Sequence, residues 1–131
     1  MAKILIVDDD PDMIFLVRLQ LERANFSVIE ANNGTEGLKS VLSEHPDVII
    51  LDVMMDTLTE GFQFALKVRN PDPSSPYSEC RDIPIIMLTA IHNIMDLRFS
   101  PDEDYLPVND FIEKPFEPQE LIKKINSYLG R

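Results

Sequence analysis

The chain has 131 residues, 44% of them hydrophobic, and a formal net charge of −11 from 23 acidic and 12 basic side chains. That length suits one domain, and no apolar stretch nears the roughly 20 residues that a bilayer span requires. The acidity argues against direct nucleic-acid binding, which depends on Lys and Arg displacing counterions from phosphates, and favours cations or basic protein surfaces as partners.

The start, "MAKILIVDDD", has one lysine, a short apolar run and then acid, without a small-residue cleavage site. It does not read as a signal peptide, so a cytoplasmic location is expected. Cys80 is the single cysteine; it excludes an internal disulfide or a thiolate metal site and is expected to be a bystander thiol in a loop.

In chain order, "KILIV" (3–7) reads as a first strand. Met13 to Arg23 carries Ile14, Val17 and Leu21 at helical spacing, and Asn25 is expected to close that helix in a left-handed conformation. "FSVIEA" (26–31) reads as strand two. "NGTEGLKSVL" opens on Asn33 with Glu36 three residues later, a capping-box pattern, and then offers Leu38, Val41 and Leu42 to a core. "DVIILD" (47–52) reads as strand three. "EGFQFALKVR" (60–69) is expected to present Phe62, Ala65, Leu66 and Arg69 on one helical face, ending at Asn70 and Pro71. Prolines 71, 73, 76 and 84 make 70–84 a long loop. "IPIIMLT" (83–89) reads as strand four and "DFIE" (110–113) as strand five. A fourth helix belongs between them, yet 91–110 keeps no clean helical period beyond Leu97 and Pro101 interrupts it. The last helix starts near Pro118, lines up Leu121, Ile122, Ile125 and Leu129, and stops at Gly130.

Short β-branched runs alternating with helical stretches predict an α/β protein, doubly wound, with a parallel sheet and helices on both faces. Strands one, three and four lack polar alternation, as expected of strands covered on both sides.

In such sheets ligands collect beyond the carboxyl ends of the strands. Strand one ends in Asp8 and Asp9, strand three in Asp52, strand four in Thr89, and strand five runs into Lys114 and Pro115. Two unit charges about 5 Å apart repel by roughly 3 kcal/mol at an effective dielectric of 20, so this carboxylate cluster needs a counterion or a proton. Oxygen ligands without nearby His or Cys favour Mg²⁺, which takes one or two carboxylates and leaves room for a phosphoryl oxygen. Lys114 and Thr89 can hold the same oxygen, and an aspartate beside Mg²⁺ can become an aspartyl phosphate. Each residue alone has a plain reading as a helix cap, a strand end or an ion pair. Their coincidence at four strand ends outweighs it. Asp10, with Pro11 and Asp12, is expected to start helix one instead.

"KILIVDDDPD", "PDVIILDVMM", "IPIIMLTA" and "DFIEKPF" resemble, in this order and spacing, the receiver domain of two-component response regulators over nearly the whole chain. The resemblance implies a flavodoxin-like five-stranded parallel sheet in order 2-1-3-4-5 and a single receiver over 1–131, similar to the stand-alone chemotaxis and sporulation phosphorelay regulators. It implies Asp52 as phosphoacceptor, Asp8 and Asp9 as the acidic pair with Asp9 the more direct Mg²⁺ ligand, and Met54 as a ligand through its backbone carbonyl. It makes Thr89 and Phe111 the switch residues, Lys114 the site lysine and Lys114-Pro115 a candidate cis bond. The implied donor is a histidine kinase or phosphotransfer protein. The downstream target is a protein of unknown identity, with a phosphorylation-dependent dimer left open and no direct nucleic acid or membrane contact. His45 and His92 are not needed for this chemistry and are expected at the surface. On phosphorylation Thr89 and Lys114 should move inward and Phe111 should rotate from an exposed toward a buried position.

The chain departs from the family pattern in two places. "DVMMDTLTEGF" puts Asp56 at the usual proline and one extra residue before Gly61, and "FSPDEDYLPVND" carries acids at 102, 103 and 104 and an aromatic, Tyr105. Met54 and Ile91 are apolar where side chains border the attacking water, which predicts slow self-dephosphorylation. Three rivals fit less well. A haloacid-dehalogenase-like Mg²⁺-dependent phosphohydrolase wants an aspartate where Met54 stands, and a flavin binder wants a Ser/Thr/Gly phosphate loop in place of "DDDPD". An interaction domain that is never phosphorylated would not need the five intact site residues.

Overall fold

The computed structural model describes residues 1–53, 58–89 and 108–130. The fourth helix expected within 91–110, Met54, Asp56, Ile91, His92 and Tyr105 lie outside those residues. Five strands, β1 (Lys3–Val7), β2 (Ser27–Ala31), β3 (Val48–Val53), β4 (Ile85–Thr89) and β5 (Asp110–Glu113), form one sheet in order β2-β1-β3-β4-β5. All four pairings are parallel. The described helices are α1 (Pro11–Arg23), α2 (Gly34–Glu44), α3 (Leu58–Val68) and the C-terminal α4 (Pro118–Tyr128).

The sheet separates two apolar layers. Ile4 and Ile6 of β1 join Ile14, Val17 and Leu21 of α1 and Leu121 and Ile125 of α4 on one side. Leu5 and Val7 join Val41 of α2 and Phe64, Ala65 and Val68 of α3 on the other. Both faces of β1 and β4 are therefore buried, which is why their sequences show no polar alternation. Each fully buried aliphatic side chain of this kind contributes about 1.5–3 kcal/mol.

The caps are those the residue types dictate. Asp10 accepts from the Asp12 N–H ahead of Pro11 at the first turn of α1, and Asn33 Oδ1 accepts from the Glu36 N–H at 2.8 Å to start α2. At the end of α1, Asn25 takes φ 69°. The Phe26 N–H reaches the Leu21 carbonyl and the Asn25 N–H reaches Glu22, at 3.1 and 3.0 Å. This double closure returns the chain sharply into β2, with Phe26 buried beside Leu21. His45, also left-handed at φ 47°, ends α2; it is exposed, as expected.

Two expectations change. Among the described side chains of α3, Gly61, Phe64, Ala65 and Val68 are buried, so Ala65 faces the core as expected, while Leu66 is 51% exposed and Arg69 half-buried; the side chain of Phe62 lies outside those described. α3 is apolar on more than one side, so periodicity alone could not pick the face that meets the sheet. Cys80 does lie in the 70–84 connection, within a short 3-10 turn (Ser78–Cys80). It is nonetheless a core residue, 1% exposed and packed with the α2 and α3 layer, behaving as a small hydrophobe that fills the gap the loop folds over.

Candidate functional site

Parallel strands bring their carboxyl ends to one edge, and the register decides what meets there. Asp8 is the first residue past β1, held by its N–H to the Ala31 carbonyl at 3.1 Å. Asp52 lies inside β3 opposite Leu88, with Val53 opposite Thr89, so Asp52 and Thr89 reach the edge one step apart. Lys114 follows β5, its N–H bonded to the Thr89 carbonyl at 2.8 Å. Asp8, Asp52 and Thr89 are the buried polar residues among those described, at 5%, 8% and 0% exposure. Asp9, next in the chain, is exposed. The Lys114-Pro115 bond is cis, as expected.

Lys114 Nζ donates to Asp52 Oδ1 at 2.5 Å. The other carboxylate oxygen, Oδ2, is buried without a hydrogen-bond partner among the described residues. Burial raises the Asp52 carboxyl above the usual carboxylate range, and the bond and charge of Lys114 oppose that rise. Asp8 is pushed up to about 7, chiefly by burial and further by the charge of Asp52, against the Asp10 N–H that donates to it. Two buried carboxyls thus share one lysine, which leaves one negative charge uncompensated or a proton bound.

That imbalance is what a hard cation would relieve. Among the described residues no three His, Cys, Asp or Glu side chains gather closely enough to enclose a metal. Mg²⁺ does not need such a cage, since it binds through one or two carboxylates, a carbonyl and waters. The orphaned Asp52 Oδ2 and the adjacent Asp8 fit that requirement.

Phe111 is not exposed in this state. It is 5% exposed, opposite Met87 in β4 and within the α2 and α3 layer. An outward starting position was expected, but alternation along β5 turns this side chain toward an already formed apolar layer. The Ala31 carbonyl that anchors Asp8 had no signal in the sequence, because it arrives from the neighbouring strand.

Residues 4–126 match the family model described as the response regulator receiver domain. The chain belongs to that family. It is 33% identical over 131 residues to the DNA-binding dual master transcriptional regulator RpaA of Synechocystis, covering 100% of this chain and 50% of that protein. It is 34% identical over 129 residues to the alkaline phosphatase synthesis transcriptional regulatory protein PhoP of Bacillus subtilis, covering 98% and 49%. This receiver therefore spans about half the length of those relatives. The solved structure of the Vibrio cholerae chemotaxis protein CheY4 superposes with a TM-score of 0.75 at 31% identity, covering 98% of each chain. The expected flavodoxin-like order 2-1-3-4-5 is thus present in the receiver, and the phosphohydrolase alternative finds no support.

Proposed function

We propose that this receiver, as a single unit over 1–131, accepts a phosphoryl group on Asp52 from a phosphohistidine donor in a Mg²⁺-dependent reaction and thereby changes its affinity for a protein partner. The observation that carries this reading is the Asp52 carboxylate, buried at a strand end with one oxygen on Lys114 and the other without a partner among the described residues. Asp8, Asp9 and Asp52, with the Met54 carbonyl, would hold the cation. Mg²⁺, when bound, supplies neutralisation of charge on the phosphoryl oxygens. An Asp52 oxygen attacks phosphorus, the new O–P bond forms as the N–P bond of the donor breaks, and the imidazole leaves with its electron pair and takes a proton from solvent. Lys114 Nζ transfers its hydrogen bond from Asp52 to a phosphoryl oxygen, and the Thr89 hydroxyl donates to the same oxygen.

The donor is a histidine kinase or phosphotransfer protein. A cleft of about 310 Å³ beside Lys114, lined by Met13, Leu16 and Gln20 of α1 with Pro115 and Phe116, suits a protein surface that delivers its group at this edge. The acidity of the chain supports protein contacts in place of direct nucleic-acid contacts. Among the described residues no helix is long and apolar enough to cross a membrane. The proposed location of the receiver is the cytoplasm. The module is a signalling switch and not a turnover enzyme. Incubation with acetyl phosphate and Mg²⁺ followed by intact mass should show one added phosphate in the wild type and none in Asp52→Asn. Turnover of added phosphoesters without trapping would point to a hydrolase.

A further inference from the structure

Among the described residues β5 is an edge strand of four residues, paired with β4 alone. A four-residue strand forms few ladder bonds, so contacts at its ends add to the buried Phe111 and Ile112 in fixing its register, and a slip of one residue would turn every side chain to the opposite face. Lys114 directly follows this strand, so the position of its ammonium relative to Asp52 depends on β5 register.

At the opposite end of β5 stands Asn109. Its backbone N–H donates to the Ile85 carbonyl at 2.8 Å, while its side-chain Oδ1 accepts from the Ile85 N–H at 2.9 Å. The amide thus imitates one more ladder rung where the chain leaves the sheet. An asparagine amide has two chemically different ends, and only the oxygen can accept. Arg69, one residue past α3, settles which end faces Ile85, because its Nη2 donates to the same Oδ1. Its Nη1 donates to the Arg81 carbonyl at 2.5 Å, so the guanidinium is itself fixed between two acceptors. A guanidinium is donor-only and planar, and it cannot tolerate the NH₂ end of the amide in that place. The Tyr128 hydroxyl adds a bond to the Asn109 carbonyl at 2.9 Å, tying α4 to the same point.

We propose that Asn109 and Arg69 are positioning residues for the phosphoryl-transfer site, locking β5 in register so that Lys114 meets Asp52. Neither touches the reacting atoms. The effect is transmitted along the strand over five residues, roughly 16 Å at about 3.3 Å per residue. The inference rests on the proposed role of Asp52 and adds two residues to it that no strand-end motif contains.

The test uses the purified chain with acetyl phosphate and Mg²⁺, following phosphorylation by intact mass, together with amide hydrogen exchange at Phe111, Ile112, Glu113 and Lys114. Asn109→Ala should lower the saturating phosphorylation rate about tenfold, in line with the cost of sub-ångström misplacement, and speed exchange at those amides, with the half-saturating acetyl phosphate concentration unchanged. Asn109→Asp, which keeps the acceptor, should restore most of the rate. Arg69→Gln should fall between. Wild-type rate and exchange in Asn109→Ala, or equal loss in Asn109→Asp, would overturn the inference while leaving the proposed function intact. If Asn109→Ala does not fold, Arg69→Gln decides by the same two readouts. Absence of phosphorylation in the wild type would overturn the proposed function and this inference together.

Discussion

Replacing Asp8 by Asn keeps the shape of the side chain and its acceptor for the Asp10 N–H, but removes one of the two carboxyls crowded at the strand ends. In the metal-free protein the Asp8 carboxyl stands at about 7, against 3.8 for an ordinary aspartate. The native state therefore holds a proton that the unfolded chain releases, and stability falls as pH rises across that interval. At about 1.36 kcal/mol per pH unit the interval sets a ceiling of about 4 kcal/mol. Solvent reaches the neighbouring Asp9 and Asp10, both exposed, and screening of this kind roughly halves the figure to about 2 kcal/mol. Urea unfolding in EDTA should find the two proteins equally stable near pH 3, below the ordinary value of 3.8, where the Asp8 carboxyl is mostly protonated in the native and the unfolded chain alike. By pH 8 Asp8→Asn should be more stable by about 2 kcal/mol. Adding Mg²⁺ at pH 8 should stabilise the wild type more than the variant and narrow the gap, since a ligand at about 100 times its Kd contributes about 2.7 kcal/mol. Parallel stability profiles from pH 3 to 8 would refute the claim that Asp8 is strained by burial beside Asp52.

Lys114→Met should lower the rate of phosphorylation by acetyl phosphate about a hundredfold, the usual cost of removing one donor to developing negative charge; a rate within about twofold of wild type would exclude the lysine from the site. Gly37 lies in α2 where an added Cβ would come within 2.9 Å of Val7 Cγ2 and 3.0 Å of the Phe64 ring. Gly37→Ala gains about 1 kcal/mol of helix propensity but overpacks a branched side chain and a ring at about 1–3 kcal/mol. A net loss of about 1 kcal/mol is expected in denaturant unfolding, and a gain in stability would contradict the tight helix-to-strand approach. Met54→Asn should speed loss of the phosphoryl group several-fold by supplying a group that can orient water, with an unchanged lifetime, measured by intact mass, counting against an apolar brake on hydrolysis.

The local devices were readable because each is built from neighbours in the chain. Asp10, Pro11 and Asn25 bracket α1, and Asn33 with Glu36 starts α2, through short-range bonds that any such residues would make. The site residues were readable for a different reason. Alternation of strand and helix forces parallel pairing, and parallel pairing puts Asp8, Asp52, Thr89 and Lys114 at one edge before any side chain is placed.

Choices among equals were not readable. α3 carries apolar residues on more than one side, and only the packing against Val7 and α2 selects Phe64 and Val68 over Leu66. Cys80 is polar enough for a loop and small enough for a core, and the folding of 70–84 over α2 decided for the core. Phe111 is buried before any phosphoryl group arrives because β5 alternation faces it toward Met87. The sequence by itself determined which chemical groups reach the sheet's carboxyl edge, since parallel strand direction follows from the alternation of strand and helix; the order of the strands came from the family resemblance and is present in the structure. The tertiary structure alone decided which are dry, which are paired and which carry a proton, because burial and the partition of one lysine between two carboxyls depend on contacts between residues distant in the chain.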